Sequence, residues 1–486
     1  MRRGRTRAAD GPGSGAVALP PGHPRVLLGD FARTLDKASI LYFVNRLDKA
    51  LVEQRTPDSI MERPIKATLR ETREHNERLV LATIYDAGRT SRADVARVTG
   101  LTRTTVSAVA EGLIAEGLCR EVGRGPSTGG KAPILLEVPD AARLLVGVDL
   151  GDRIFTAATV NLRGEIIDRL DVPSEDADGE DALRLALEVI GGIVGRAGGP
   201  ILGIGIGAPG LVDRGVGTVI QAVKRDWRQL PLGPMVAQRF GLPVHVANDA
   251  QAAGLAEHVF GTVRGVNLVT IKVGQGIGAG LVLNGELFEG DGFGAGEIGH
   301  TVVDPNGDLC RCGRRGCLET LASARAILDR LSAECGRPIS MDEAAEMFRM
   351  GDEAARRIVL AAGSSLGGAL AAIVGMLHVR RIVLAGTLVV FGEDWLAAVA
   401  SAASERALAA LTQDTTFEIG RMDDVVVLGA SALLMTRELG MSLRPISSTR
   451  QIRITDVPAD EATVASPSTN GSSLVEAAAE KGGVAG

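Results

Sequence analysis

Apolar positions along the chain change their period twice, and each change marks a different kind of structure. Residues 1–60 show no sustained period. Gly11–Pro24 is rich in Gly, Pro and Ala, so this stretch reads as a disordered or dispensable extension, with room for a helix or two in Phe31–Leu51. From Arg73 the spacing is helical: Leu79, Val80, Ile84 and Tyr85 share one face of a helix that ends near Gly88. Ser91 stands three residues before Asp94, the spacing of a capping box, and starts a short helix through Val98. Thr99-Gly100-Leu101 makes a tight turn. Thr102 then caps a helix that turns Val106, Val109 and Leu113 inward and ends at Gly117. Strand-like runs Leu118–Val122 and Pro133–Val138 flank a glycine-rich loop with a cation toward each end, Arg124 and Lys131.

This order predicts a winged helix-turn-helix over residues 61–140. The second helix of the turn would present Arg103, Thr104, Thr105 and Ser107 to base edges in a major groove. Arg92, Arg97, Arg124 and Lys131 would meet phosphates or the minor groove. A small helical subdomain with a solvated basic face is the alternative.

Beyond Pro139 the pattern becomes α/β. Buried strands are expected at Leu144–Asp149, Ile201–Gly207, Val244–Ala247, Leu268–Val273 and Arg381–Ala385, with a hairpin of Ile154–Val160 and Glu165–Leu170 and a helix at Ala182–Gly195. The first five strands named run into glycine-rich or polar turns, the place where α/β proteins hold ligands. Ile358–Val379 is uncharged and long enough to span a bilayer, but its Ser364, Ser365 and glycines suit a buried core helix. From about residue 442 the chain turns Ser/Thr/Ala/Gly-rich and reads as a disordered tail.

Composition adds three constraints. Hydrophobic residues make up 45% and aromatics only 3%, so the core is aliphatic. Lys+Arg 53 against Asp+Glu 59 excludes a chain coated in nucleic acid but allows a small basic module. Met1–Asp10 lacks the apolar run of a signal peptide, and a cytoplasmic protein without a membrane partner is expected.

The chemistry concentrates after Gly296-Glu297-Ile298-Gly299-His300. His300, Cys310, Cys312 and Cys317 offer four ligands of the types zinc prefers, and four protein ligands leave no open position, so the metal would be structural. Cys119 and Cys335 lie apart and are expected to be ordinary buried residues. Asn248, Asp249, Glu297, His300 and Glu319 supply the carboxylates, amide and imidazole that a site for vicinal hydroxyls requires, and Asp249 could deprotonate a hydroxyl.

Residues from about 73 to 441, with Gly-Glu-Ile-Gly-His followed by Cys-x-Cys-Gly-x-x-Gly-Cys-x-Glu, resemble the ROK family of repressors, open reading frames and kinases. The preceding winged helix resembles its regulator branch. The resemblance implies an actin-like, two-lobed ATPase body over residues 141–441 with a lobe boundary near 247, a structural zinc, and sugar contacts at Asn248, Asp249, Glu297, His300 and Glu319. In the family's kinases the position of Asp249 is the general base.

Several positions depart from the kinase pattern. Asp149-Leu150-Gly151 is followed by Asp152-Arg153 instead of Gly-Thr, Gln275 replaces a small hydroxyl residue, and Ala385-Gly386-Thr387 replaces a glycine run. A carboxylate at Asp152 would repel a phosphate, so ATP binding is not expected. Near Trp227, Val223-Lys224-Arg225-Asp226 stands where kinases place an asparagine. Its cations would favour a phosphorylated or acidic sugar, or would simply line a solvated loop. The expected protein is a sugar- or sugar-phosphate-responsive repressor, at least a homodimer on operator DNA. An ATP-dependent sugar kinase with a fused DNA-binding module is the alternative.

Overall fold

The computed structural model describes residues 68–126, 132–174, 177–261 and 265–441. The extension 1–60, the tail from 442 and Lys131 lie outside the described residues.

The first described elements are α1 (Leu69–Ala87), β1 (Thr90–Ser91), α2 (Arg92–Thr99), α3 (Arg103–Ala115), β2 (Arg120–Arg124) and β3 (Ile134–Glu137). Local chemistry sets their ends. Ser91 Oγ accepts from the Asp94 amide at 3.2 Å and donates to Asp94 Oδ2 at 2.7 Å, while Thr102 Oγ1 accepts from the Thr105 amide at 3.1 Å. Val80, Ile84, Val95, Val106 and Leu136 are fully buried where the helices meet a three-stranded antiparallel sheet ordered β1-β3-β2. β2 begins two residues later than its apolar run suggests. The amides of Leu118 and Cys119 both donate to Leu113 O, closing α3, and their side chains go into the core.

Two five-stranded sheets follow, and they repeat one plan. The first holds β4 (Leu144–Leu150), β5 (Ile154–Val160), β6 (Ile166–Pro173), β7 (Ile201–Ala208) and β11 (Val244–Asn248) in the order β11-β7-β4-β5-β6. The second holds β12 (Leu268–Val273), β13 (Ile277–Leu283), β14 (Glu286–Phe288), β15 (Arg381–Ala385) and β16 (Thr416–Ile419) in the order β14-β13-β12-β15-β16. In each, the first three strands form an antiparallel meander and the last two add in parallel beside the first. A small sheet of β8 (Leu211–Asp213), β9 (Thr218–Ala222) and β10 (Trp227–Leu230), not anticipated from the sequence, projects from the first half. The helices of the first half are α4 (Gly179–Arg196) and α5 (Leu232–Phe240). The second half carries α7 (Ala324–Cys335), α8 (Met341–Arg349), α9 (Glu353–Leu377) and α10 (Gly392–Arg406).

Helix α9 contains the long uncharged stretch. Among the described helices it alone is long and apolar enough to cross a membrane, but Ile358, Val359, Leu366 and Leu370 are buried in the second half's core. One expectation fails here: Cys335 is exposed, because it is the last residue of α7 and stands one turn beyond Leu331, the last position of that helix in the core. Cys119 is buried as expected.

Two further helices, α6 (Asp249–Val259) and α11 (Val425–Glu438), cross in the middle of the body and are buried along nearly their whole length. Glycine permits the crossing: a Cβ at Gly429 would lie 1.8 Å from Ala252 O. Gly429→Val should therefore force the helices apart, lowering stability by about 3 kcal/mol or more, read as a drop in the urea midpoint; an unchanged midpoint would show that the crossing yields easily.

Candidate ligand cleft and metal centre

Each sheet delivers the end of its first strand to the same cavity, of about 920 Å³. The first half contributes Asp149 from β4, the Gly151–Ile154 turn, and Asn248 and Asp249 at the β11–α6 junction. The second contributes Lys272 from β12, the Gly274–Gly278 turn, Glu297, His300 and Glu319. The structure thus brings together every sugar-contact candidate from the sequence.

Their environments differ. Asn248 borders the cavity, is 7% exposed, and its side-chain amide makes three hydrogen bonds. Oδ1 accepts from the amides of Ala250 and Gln251 at 2.9 and 3.1 Å, and Nδ2 donates to Gly210 O at 2.9 Å. Its evident role is to cap α6 and so aim Asp249. Burial pushes the Glu297 carboxyl above its ordinary value; His300 offsets part of the rise, and the neighbouring Asp249 and Glu319 carboxylates add to it. Four polar groups therefore face one another across a small space, with Gly276 leaving room for Glu319: a Cβ there would lie 2.8 Å from Glu319 Oε2.

Two groups on the cavity floor were not singled out from the sequence. Lys272 Nζ sits 2.8 Å from Asp249 Oδ2, while Asp249 Oδ1 accepts from the Ala250 amide at 2.7 Å. Burial alone would pull the Lys272 ammonium down, but the Asp249 and Asp149 carboxylates hold it above the ordinary lysine value. The signal for Lys272 was one charge in an otherwise apolar strand. Asp149 has its Oδ1 sealed from solvent with no hydrogen-bond partner, and burial pushes its carboxyl up to about 7 although Lys272 opposes the rise.

The two cations near Trp227 part ways: Lys224 lines the cavity, while Arg225 is buried away from it. Arg225 is not solvated and does not face a ligand. It is 0% exposed, stacks 4.6 Å over the Phe155 ring, and donates to Gly151 O, to Asp152 O at 3.1 Å, to Ser174 O at 2.6 Å and to Ala177 O at 2.7 Å. Carbonyl oxygens at the open end of the β5–β6 hairpin make this burial of a cation possible. Lys224 lines the cavity and pairs with Asp152, Nζ to Oδ1 3.4 Å, so the Asp152 carboxylate is partly neutralised.

Next to the cleft, His300 and the three cysteines converge, their donor atoms all within 4.8 Å of one another. Cys310 Sγ lies 3.6 Å from His300 Nδ1, and Cys312 Sγ lies 3.6 Å from Cys317 Sγ. Tetrahedral zinc with Zn–S bonds of about 2.3 Å needs sulfurs about 3.8 Å apart, so the donor set fits that ion. The knuckle depends on Gly316, with φ +68°, where a Cβ would fall 1.4 Å from Asp304 O. His300 Nδ1 faces the sulfurs, leaving Nε2 toward Glu297, 3.9 Å from its Oε2.

In the helical module, Arg103 and Thr104 are exposed at the start of α3, while Ser107 and Thr105 are half-buried, the latter bonded to Thr102 Oγ1 at 2.8 Å. Arg92 is paired with Glu121 at 2.9 Å, Arg97 with Asp94 at 2.7 Å, and Arg124 is exposed on β2.

Residues 145–437 match the family model described as ROK family. The chain belongs to the ROK family. It is 33% identical over 380 residues to a xylose repressor of Caldicellulosiruptor bescii, covering 74% of this chain and 95% of that one. Among solved structures it resembles a ROK family transcriptional regulator, a homologue of the Escherichia coli MLC protein. The identity is 27% and the TM-score 0.67, over 76% of this chain and 98% of that one. It also resembles a ROK family glucokinase from Streptomyces griseus solved with glucose and AMPPNP, at 28% identity and TM-score 0.56, over 60% of this chain and 98% of that one. The two repeated sheets with the cleft between their strand ends are thus the actin-like ATPase body of the ROK fold.

The raised carboxyl of Asp149 has a consequence for stability. Because its folded value lies above the ordinary carboxylate value of about 4, the stability it contributes is fullest below that pH and is lost as pH rises through 7. Asp149→Asn should raise Tm relative to the wild type at pH 8, by a margin that shrinks toward pH 4; a margin independent of pH would contradict the assignment.

Proposed function

We propose that this ROK protein is a sugar-responsive transcriptional repressor that leaves its operator when a sugar or sugar phosphate occupies the cleft. One observation carries the reading: Lys272 engages the carboxylate that a kinase would use as base, while Glu297, His300 and Glu319 remain turned toward the cavity. A base held in a charge-assisted hydrogen bond takes a proton poorly, whereas hydroxyl recognition needs no such proton transfer. The names of the repressor and regulator relatives agree with this reading.

Residues 61–140 serve as the DNA-binding winged helix and 141–441 as the effector-binding body, with its two lobes meeting near residue 247. Arg103, Thr104, Thr105 and Ser107 read bases; Arg92, Arg124 and Lys131 hold phosphates, Arg92 by exchanging Glu121 for DNA. A structural zinc binds His300, Cys310, Cys312 and Cys317; through Nδ1 it fixes the imidazole so that Nε2 addresses a ligand hydroxyl. A homodimer or higher oligomer on a palindromic operator supplies the specificity that a single module lacks, and the protein works in the cytoplasm. The second reading, an ATP-dependent sugar kinase with a fused DNA-binding module, draws on the retained Asp249 and the similarity to a glucokinase.

Three outcomes are expected. In a thermal-shift screen of D-xylose, D-glucose and their phosphates, at least one stabilises the wild type and none stabilises Glu319→Ala; stabilisation kept in the variant would remove the cleft from the reading. Stripping the metal with a chelator should release about one zinc per chain and weaken sugar binding by about tenfold or more, seen by elemental analysis and calorimetry. Arg103→Ala should weaken operator binding by about 1–3 kcal/mol in salt-controlled anisotropy titrations. Sugar-dependent ATP turnover abolished by Asp249→Asn would establish the kinase instead.

A further inference from the structure

Five residues at the turn between β5 and β6, Asn161 to Glu165, touch more of the molecule than a hairpin turn needs to. The turn is stiff: Asn161 Oδ1 accepts from the amides of Arg163 and Glu165 at 2.9 and 3.0 Å, and Asn161 Nδ2 donates to Glu165 Oε2 at 2.7 Å. On one side it holds α1 of the helical module. Tyr85 Oη donates to Leu162 O at 2.6 Å, and the Arg163 guanidinium lies 4.0 Å over the Tyr85 ring and donates to Tyr85 O at 3.2 Å. The same guanidinium binds Asp140 at 2.9 Å, on the segment that joins the module to the body.

On the other side the turn meets the far end of α6. Gly164 has φ +84°, and a Cβ there would lie 2.8 Å from the Phe260 ring. Phe260 follows α6 directly, and α6 begins at Asp249 in the cleft, roughly 16 Å away at the rise of a helix. The hairpin itself is a second route. Its open end, Gly151 and Asp152 before β5 and Ser174 and Ala177 after β6, is strapped by buried Arg225, whose neighbour Lys224 lines the cleft. Two stiff paths therefore leave the ligand cavity and end on one turn, and that turn holds the DNA-binding module.

We propose that the Asn161–Glu165 turn is the relay through which cleft occupancy sets the attitude of α1 to α3, with Tyr85, Arg163 and Phe260 as its positioning residues. This rests on the reading of the chain as a sugar-responsive DNA-binding protein. A stiff turn wedged between three elements moves with them as a body, so a displacement of α6 reaches Tyr85 without any ligand contact there. None of the three side chains lines the cleft. Their removal should uncouple the two binding events and leave each intact.

The experiment uses the full chain and a duplex it selects from a random pool. Affinity is read by anisotropy with and without a panel of D-xylose, D-glucose and glucose 6-phosphate, and sugar affinity by calorimetry. Couplings of this kind run from about 5- to 150-fold. In Tyr85→Phe/Arg163→Ala, and separately in Phe260→Leu, the sugar-free DNA affinity and the DNA-free sugar affinity should each stay within about threefold of wild type, while the sugar effect on DNA affinity falls at least about fivefold. Variants that keep the wild-type sugar effect overturn the relay. So do variants that lose DNA affinity without sugar, since the contacts then merely build the module. A wild type whose DNA binding ignores the whole panel overturns the functional reading first, and the relay with it.

Discussion

One ammonium group between two carboxylates holds the floor of the cleft. Lys272 comes from the first strand of the second sheet, Asp149 from the first strand of the first, and Asp249 from the helix that follows the first sheet's last strand. The Lys272–Asp249 contact ties the first strand of the second sheet to the start of α6 across the cleft. It also decides what the cavity can do. Breaking this half-buried pair would leave either partner as a poorly compensated charge. The halves thus meet on a fixed charge pattern, and a ligand must bind around it.

Around that floor, the chain divides recognition from support. Asn248 is turned inward to cap α6, the zinc-type knuckle presents His300 edge-on with Nε2 toward Glu297, and Gly276 makes room for Glu319. Each of these holds a neighbouring group in place before any ligand arrives, which reduces the ordering cost of binding. The same rigidity continues outward. α6 and α11 cross at Gly429 with almost no free space.

What was legible in the sequence was local. The Ser91–Asp94 cap, the Thr102 cap and the closely spaced cysteines all depend on partners within a few residues, and spacing alone exposes them. The α/β order of the body was legible from its apolar runs; in the helical module β2 starts two residues late because the Leu118 and Cys119 amides close α3. The misreadings are of another kind. Lys272 finds Asp249 across 23 positions, and Arg225 reaches carbonyls 48 to 74 positions away, so nothing beside them in the chain announces their burial. Asn248, expected from the sequence as a ligand group, both lines the cleft and caps α6, since a capping amide and a binding amide share one sequence signature at a strand end.

The central claim is that cleft and DNA-binding module share one equilibrium. Linkage then requires that a sugar and the operator weaken each other by the same factor. Calorimetric titration of the stabilising sugar into free protein and into protein saturated with operator measures this directly. The account predicts weaker sugar binding to the operator complex, by the same factor by which the sugar weakens DNA binding. Equal sugar affinities in the two titrations would contradict it.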